Sequence, residues 1–153
     1  MAGTESRIPD WARPGPQAPI GRLVKHAHVT LRRKLEEDLK EFGLTYAQWS
    51  ALTAIRRSGV ATPSELELIL MIERPSVTSL INGLEKRGLV TRREHPDDAR
   101  SRQIFLTEAG RELADRTEGL TSAAEEKVKA AMTPEQLDAL KRLLIRLAEA
   151  IGG

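Results

Sequence analysis

The sequence predicts a mainly α-helical chain with one small β-hairpin. Three observations carry this. Only two Trp, one Tyr and two Phe occur among 153 residues, of which 40% are hydrophobic, so Leu, Ile, Val and Ala must fill the core, which favours helices over a sandwich of strands. Apolar residues recur at helical spacing in six stretches, and three of these open with a capping box. A single pair of short runs, residues 89–92 and 103–106, reads as strands. The length suits one domain with an appended element.

Residues 1–19 contain Pro9, Pro14, Pro16 and Pro19 and no helical period, and read as an extended arm carrying Trp11. Ile20, Leu23, Val24, Ala27, Leu31, Leu35, Leu39 and Phe42 then set a first helix from about residue 19 to 42, stopped by Gly43. At ~1.5 Å per residue it would span ~36 Å, long for a chain of this size. Thr45-Tyr46-Ala47-Gln48 caps a second helix, which Gly59 ends. Thr62-Pro63-Ser64-Glu65, with Pro at the first helical position, opens a third that ends near Leu70.

The fourth helix starts near Glu73 and ends at Gly88, with Val77, Leu80, Ile81 and Leu84 as its buried stripe. After it come the two strand runs, joined by a polar loop from Arg93 to Arg102. Thr107 caps a fifth helix reaching about Ala131. Thr133-Pro134-Glu135-Gln136 opens a sixth, with Leu137, Leu140, Leu144, Leu147 and Ile151 as its seam and Leu143 widening it. The expected organisation is therefore a Pro-rich arm at 1–19, a winged helix-turn-helix at 44–107, and a helical dimerisation region from 20–43 and 108–153. The outer helices have apolar stripes that one chain of this size does not fully cover, and a second copy is the simplest cover.

Composition excludes several classes of function. There is no Cys, which removes disulfide scaffolds, thiolate metal sites and thiol chemistry. No apolar run approaches the length of a membrane span, and the N-terminus lacks a signal-peptide pattern; a cytoplasmic protein is the expectation. No nucleophile–base pair, phosphate loop or metal cluster stands out, so neither an enzyme nor a cofactor is expected. His26 and His28 lie two apart, on different helix faces, which argues against a metal site.

Net charge is only +2, but its distribution is uneven. Lys86, Arg87, Arg92, Arg93, Arg100 and Arg102 face only Glu94, Asp97 and Asp98 in the same segment. Two short helices joined by a tight turn, then a hairpin, form a winged helix-turn-helix, whose second helix enters the major groove. Opposite the buried stripe of that helix lie Pro75, Thr78, Ser79, Asn82 and Lys86, with Arg74 and Ser76 on the shoulders. This face is small and polar, and no acidic residue follows Glu73 until Glu85. Small hydroxyls let the backbone approach DNA; Arg74 could read guanine, and Asn82 adenine or a phosphate. Gly83 should permit a close packing contact. Arg93, Arg100 and Arg102 on the projecting ribbon could place a guanidinium in a minor groove, with an aspartate of the loop pairing with one of them. The bland alternatives are a mixed-charge turn and an ordinary surface helix.

These residues resemble the MarR family of transcriptional regulators. The resemblance rests on the run Arg74 to Val90, on His95-Pro96-Asp97-Asp98-Ala99-Arg100-Ser101-Arg102, and on Leu106-Thr107-Glu108-Ala109-Gly110, and it covers about residues 20–151. It implies a homodimer with interlocked terminal helices that binds double-stranded DNA at a pseudo-palindromic operator. It further implies Arg74, Ser76, Thr78 and Ser79 in the major groove, Arg100 in the minor groove, and Asp98 bracing that arginine. Pro75 departs from the pattern, which more often has a hydroxyl residue there. The resemblance also implies release of DNA by a small aromatic or anionic effector. His28 and Arg32, four apart on the first helix, with Tyr46 and Trp49, three apart on the second, are the candidate lining; the competing reading makes the two aromatics ordinary core. The leading reading is thus a ligand-responsive dimeric repressor. A helical protein-interaction adapter without DNA binding is the alternative.

Overall fold

The computed structural model describes residues 14–152, and within them not the side chains of His95, residues 98–101, Thr121, Ser122, Ala124 and Glu125. Trp11 and most of the Pro-rich arm thus lie outside the described residues. The element order is α1 (Ile20–Leu39), a 3-10 turn (Lys40–Phe42), α2 (Tyr46–Ser58), α3 (Pro63–Leu70), α4 (Arg74–Lys86), β1 (Val90–His95), β2 (Asp98–Leu106), α5 (Glu108–Ala130) and α6 (Pro134–Ala150).

Local chemistry fixes most boundaries. The capping boxes at Thr45, Thr62 and Thr133 are all formed, each threonine hydroxyl accepting from the third-residue amide while Gln48, Glu65 or Gln136 accepts from the cap's own N–H. The first helix ends differently from the expectation of a continuous run to Phe42. Its last turn tightens to a 3-10 turn, and Gly43 then reverses the chain at φ 61°.

The core lies between α1, α2, α3, α4, the hairpin and the first half of α5, where Ala114 is buried. Leu39, Leu52, Ile55, Leu66, Val77, Leu84 and Ile104 are fully buried there, each side chain contributing about 1.5–3 kcal/mol of transfer free energy. Of the stripe expected on α4, Val77, Ile81 and Leu84 are buried and Leu80 is half-buried. On α1, only Leu35 and Leu39 are buried; Ile20, Val24 and Leu31 are exposed. No residue of α6 is buried, and Leu143 and Ile145 are 60% and 59% exposed.

The hairpin corrects the expectation of short strands and a long loop from Arg93 to Arg102. The strands pair antiparallel from Val90 opposite Leu106 to Glu94 opposite Arg102, with an irregularity between Glu94 and His95. Half of the supposed loop, Arg93, Glu94, His95, Asp98 and Arg102, pairs in the ladder, and only Pro96 and Asp97 lie between the two strand ranges. Backbone hydrogen bonds, which need no apolar side chain, carry the ribbon out into solvent. Ala61, between α2 and α3, pairs with Ile104 through two backbone bonds of 2.8 and 3.1 Å. This ties the root of the hairpin to the helical core.

Gly110 fixes the other side of that root. Thr107 donates its hydroxyl to the Gly88 carbonyl at 2.6 Å and accepts from the Gly110 amide at 3.1 Å, while the Thr107 amide donates to the Leu89 carbonyl at 3.1 Å. A Cβ on Gly110 would lie 1.9 Å from that Leu89 oxygen. Gly83, expected to allow a close contact, has nothing within 4 Å of its Cβ position; that expectation fails, because the Cβ would point into open space beside α4.

Candidate nucleic-acid interface

Helix α4 presents its polar face to solvent. Arg74, Pro75, Ser76, Thr78, Ser79, Asn82 and Lys86 are all exposed, opposite Val77, Ile81 and Leu84. The turn before α4 is short. Met71 takes the left-handed conformation at φ 52°, and the Ile72 amide donates to the Glu67 carbonyl at 3.3 Å, closing α3 before Glu73 caps α4. Several polar groups of the face are already engaged. Thr78 donates to the Arg74 carbonyl at 3.1 Å, leaving its oxygen lone pairs outward. Arg74 donates to Glu67 at 2.6 Å and to Ser64 at 2.8 Å. Arg92 donates to the Asn82 side-chain oxygen and lies 3.6 Å from Glu85. Asn82 therefore presents its amide NH2 rather than both polar atoms.

The hairpin stands beside this helix. Residues alternate along β1, so Arg92 shares a face with buried Val90 and turns toward α4, whereas Arg93 lies on the other face. The Arg93 guanidinium sits 4.8 Å from the centre of the Phe105 ring, and Arg102 donates to Glu94 across the ladder at 3.2 Å. The side chains of Asp98 and Arg100 lie outside the described residues, and the expected brace between them with it.

Charge counting thus overstated the free cations. Arg87 donates to the Gly43 carbonyl at 2.8 Å and to Gln48 at 3.1 Å, so it fastens the α1–α2 junction instead of facing a ligand. Arg92 ties the hairpin to α4. Residues the sequence reading missed include Glu67 and Ser64 behind Arg74, and Arg56. Arg56 reaches from α2 to α5, pairing with Asp115 and, at 3.0 and 3.2 Å, with both oxygens of Glu118. The hydrogen bond to Asp115, with Glu118 adding to it, pushes the guanidinium above the ordinary arginine value. The partners lie some 60 residues apart in sequence, so no local pattern announced them.

A cleft opens behind the turn between α3 and α4. His28, Arg32, Tyr46 and Trp49, the four expected effector residues, all line it, together with Arg57 and the apolar run Ile69–Ile72; its volume is about 790 Å³. Arg32 lies 5.5 Å from the Tyr46 ring centre, and the Tyr46 and Trp49 rings are 5.7 Å apart. Trp49 is also core, 7% exposed, and its indole N–H is buried without an acceptor among the described residues. A second cleft of about 430 Å³ shares His28, Arg32 and Tyr46 and is lined on its other side by Val128, Leu137 and Leu144. Among the described residues, no group of three or more His, Asp or Glu could hold a metal ion, and no helix is long and apolar enough to cross a membrane.

A tight helix-turn-helix with a polar, exposed second helix and an adjoining two-stranded ribbon defines a winged helix-turn-helix of the kind found in DNA-reading regulators. The known proteins it resembles are of that class. The model of the MarR family matches residues 42–101. The HTH-type transcriptional repressor Rv2887 of Mycobacterium tuberculosis is 30% identical over 130 residues, which cover 85% of this chain and 94% of that protein. A crystal structure of a mutant MarR from Escherichia coli complexed with operator DNA has a TM-score of 0.78 and 26% identity, covering 84% of this chain and 93% of that one. The S. aureus MepR–DNA complex shares the fold, with a TM-score of 0.82 at 20% identity, over 88% of this chain and 99% of that one. The chain belongs to the MarR family. It is a DNA-binding transcriptional regulator and not an enzyme.

Proposed function

We propose that the chain acts in the cytoplasm as a homodimeric repressor, setting α4 of each copy into the major groove of a pseudo-palindromic operator and each hairpin into a flanking minor groove. The observation that carries this is the division of α4: a fully buried stripe on one side, and on the other an exposed face of small polar residues with Arg74 and Lys86 at its ends. Ser76, Thr78 and Ser79 permit close approach, Arg74 supplies base contact, Lys86 neutralises phosphate, and Asn82 offers a donor. Arg93, Arg100 and Arg102 carry the wing contact, with Asp98 bracing Arg100. Domain roles follow: residues 44–107 read DNA, and 20–43 with 108–153 hold two copies together. Support for the dimer comes from the bare apolar faces of α1 and α6, which would be costly to leave in water. The E. coli MarR complex with operator DNA supports the docking mode by likeness.

The effector site is the cleft lined by His28, Arg32, Tyr46 and Trp49. Among the described residues no carboxylate lines it, and Arg57, together with the part of Arg32 left over from its ion pair with Glu36, offers donors beside apolar walls. An aromatic anion fits that chemistry. The cleft includes Met71 and Ile72 of the turn that carries α4, so a molecule that binds there bears directly on the angle of the reading helix.

The test is Arg100→Ala in anisotropy titrations against DNA from upstream of the protein's own gene at several salt concentrations. The expected result is weaker binding and a salt slope lower by about one unit. An unchanged slope removes the wing contact, and no binding to any fragment at low salt favours the protein-interaction adapter.

A further inference from the structure

Arg74 stands at the first position of α4 with part of its guanidinium already in use. Its Nε donates to Glu67 at 2.6 Å and its Nη2 to Ser64 at 2.8 Å. Both partners belong to α3, seven and ten residues back. Nε and Nη2 form the side edge of the planar group. The adjacent end edge, made by Nη1 and the second hydrogen of Nη2, is taken by no described residue. That end edge offers two parallel N–H groups, the arrangement that O6 and N7 of guanine accept together.

Exposure points the same way. The Glu67 side chain is 25% exposed and that of Arg74 55%, so the carboxylate is seated in the protein while the guanidinium reaches out from it. We propose that Glu67 and Ser64 are positioning residues that hold Arg74 as a preset guanine reader at the head of α4. This rests on the major-groove reading above. An arginine free in solvent loses much rotamer freedom when it binds, and it can slip to a phosphate or a neighbouring base instead. Held from behind on its side edge, Arg74 incurs that loss on folding and keeps one heading. Glu67 acting as a decoy that occupies Arg74 until DNA displaces it fits less well. A decoy would cover the reading edge, and the neutral Ser64 would have no part in it. The capping box of α3 uses Thr62 and Glu65, so Glu67 and Ser64 are not needed to start the helix.

The test is selection from a pool of randomised DNA duplexes, sequenced, and then anisotropy titrations on the selected duplex and its single-position substitutions. Wild type, Arg74→Ala, Glu67→Ala, Glu67→Gln and Ser64→Ala are compared at matched thermal midpoints. The wild type is expected to prefer guanine at one position in each half-site. Glu67→Ala is expected to lower that preference about tenfold, toward the level of Arg74→Ala, without weakening binding to unselected duplex. Glu67→Gln, which keeps an acceptor for Nε, is expected to retain most of it, and Ser64→Ala to lose an intermediate share. A guanine preference unchanged in Glu67→Ala overturns the inference. So does tighter binding of every sequence alike in both Glu67 variants, which would make Glu67 a decoy. A wild-type chain that selects no duplex instead overturns the underlying reading of the α4 face.

Discussion

Alanine at Gly110 tests how the hairpin is anchored, because two arguments give opposite signs. Gly110 lies in the first turn of α5, where Ala is favoured over Gly by about 1 kcal/mol on helix propensity alone. The added Cβ, however, would lie 1.9 Å from the Leu89 carbonyl oxygen and 2.9 Å from its carbon. Those are backbone atoms of the residue just before β1, and no rotamer change moves them aside. Relief requires α5 to back away from the hairpin root, at about 1–3 kcal/mol for overpacking. The Thr107-to-Leu89 bond of 3.1 Å is loosened at the same time, costing about 1 kcal/mol more. The net expectation is destabilisation by about 1–3 kcal/mol. Urea denaturation at fixed protein concentration measures it, since the midpoint of an oligomer moves with concentration. Operator affinity should fall as well, because the hairpin loses its fixed angle to α4. An unchanged or raised midpoint in Gly110→Ala would refute the argument.

Other substitutions have equally definite directions. Gly83→Ala meets nothing within 4 Å and should raise stability by about 0.5–1 kcal/mol, seen as a higher thermal midpoint; a lower one would mean a contact is made there after all. Leu143→Asp on α6, 60% exposed in the single chain, should leave the helices formed but weaken self-association at least about tenfold in sedimentation velocity, and an undisturbed dimer would place the interface elsewhere. Arg56→Ala and Glu118→Ala should be non-additive in a double-mutant cycle, because the two side chains share hydrogen bonds across α2 and α5; additive losses would show that the bridge does not form in solution.

The helices were legible because their signals are local. A threonine followed three residues later by Gln or Glu closes on itself wherever it stands, and Gly43 and Gly59 stop helices through their own backbone freedom. The face of α4 followed from spacing alone. The hairpin was underestimated because Arg93, Glu94 and Arg102 look like loop residues, yet a solvated ribbon needs no apolar alternation to pair. Ala61 joining Ile104, and Arg87 fastening Gly43, depend on partners more than forty residues away in sequence. The two glycines reverse the expectation. Gly83 interrupts a helix with no close neighbour, while Gly110, quoted only as part of a motif, is the one pressed against backbone. The effector residues were named from the resemblance; that they share one cleft with Met71 and Ile72 needed coordinates.

Footprinting tests the central claim most directly. Hydroxyl-radical cleavage of a duplex bound by the wild-type protein should show two protected patches related by a two-fold axis, about 10 bp apart centre to centre, each disappearing in Arg74→Ala. A single non-palindromic patch, or protection unaffected by loss of Arg74, would contradict a symmetric dimer reading DNA through α4.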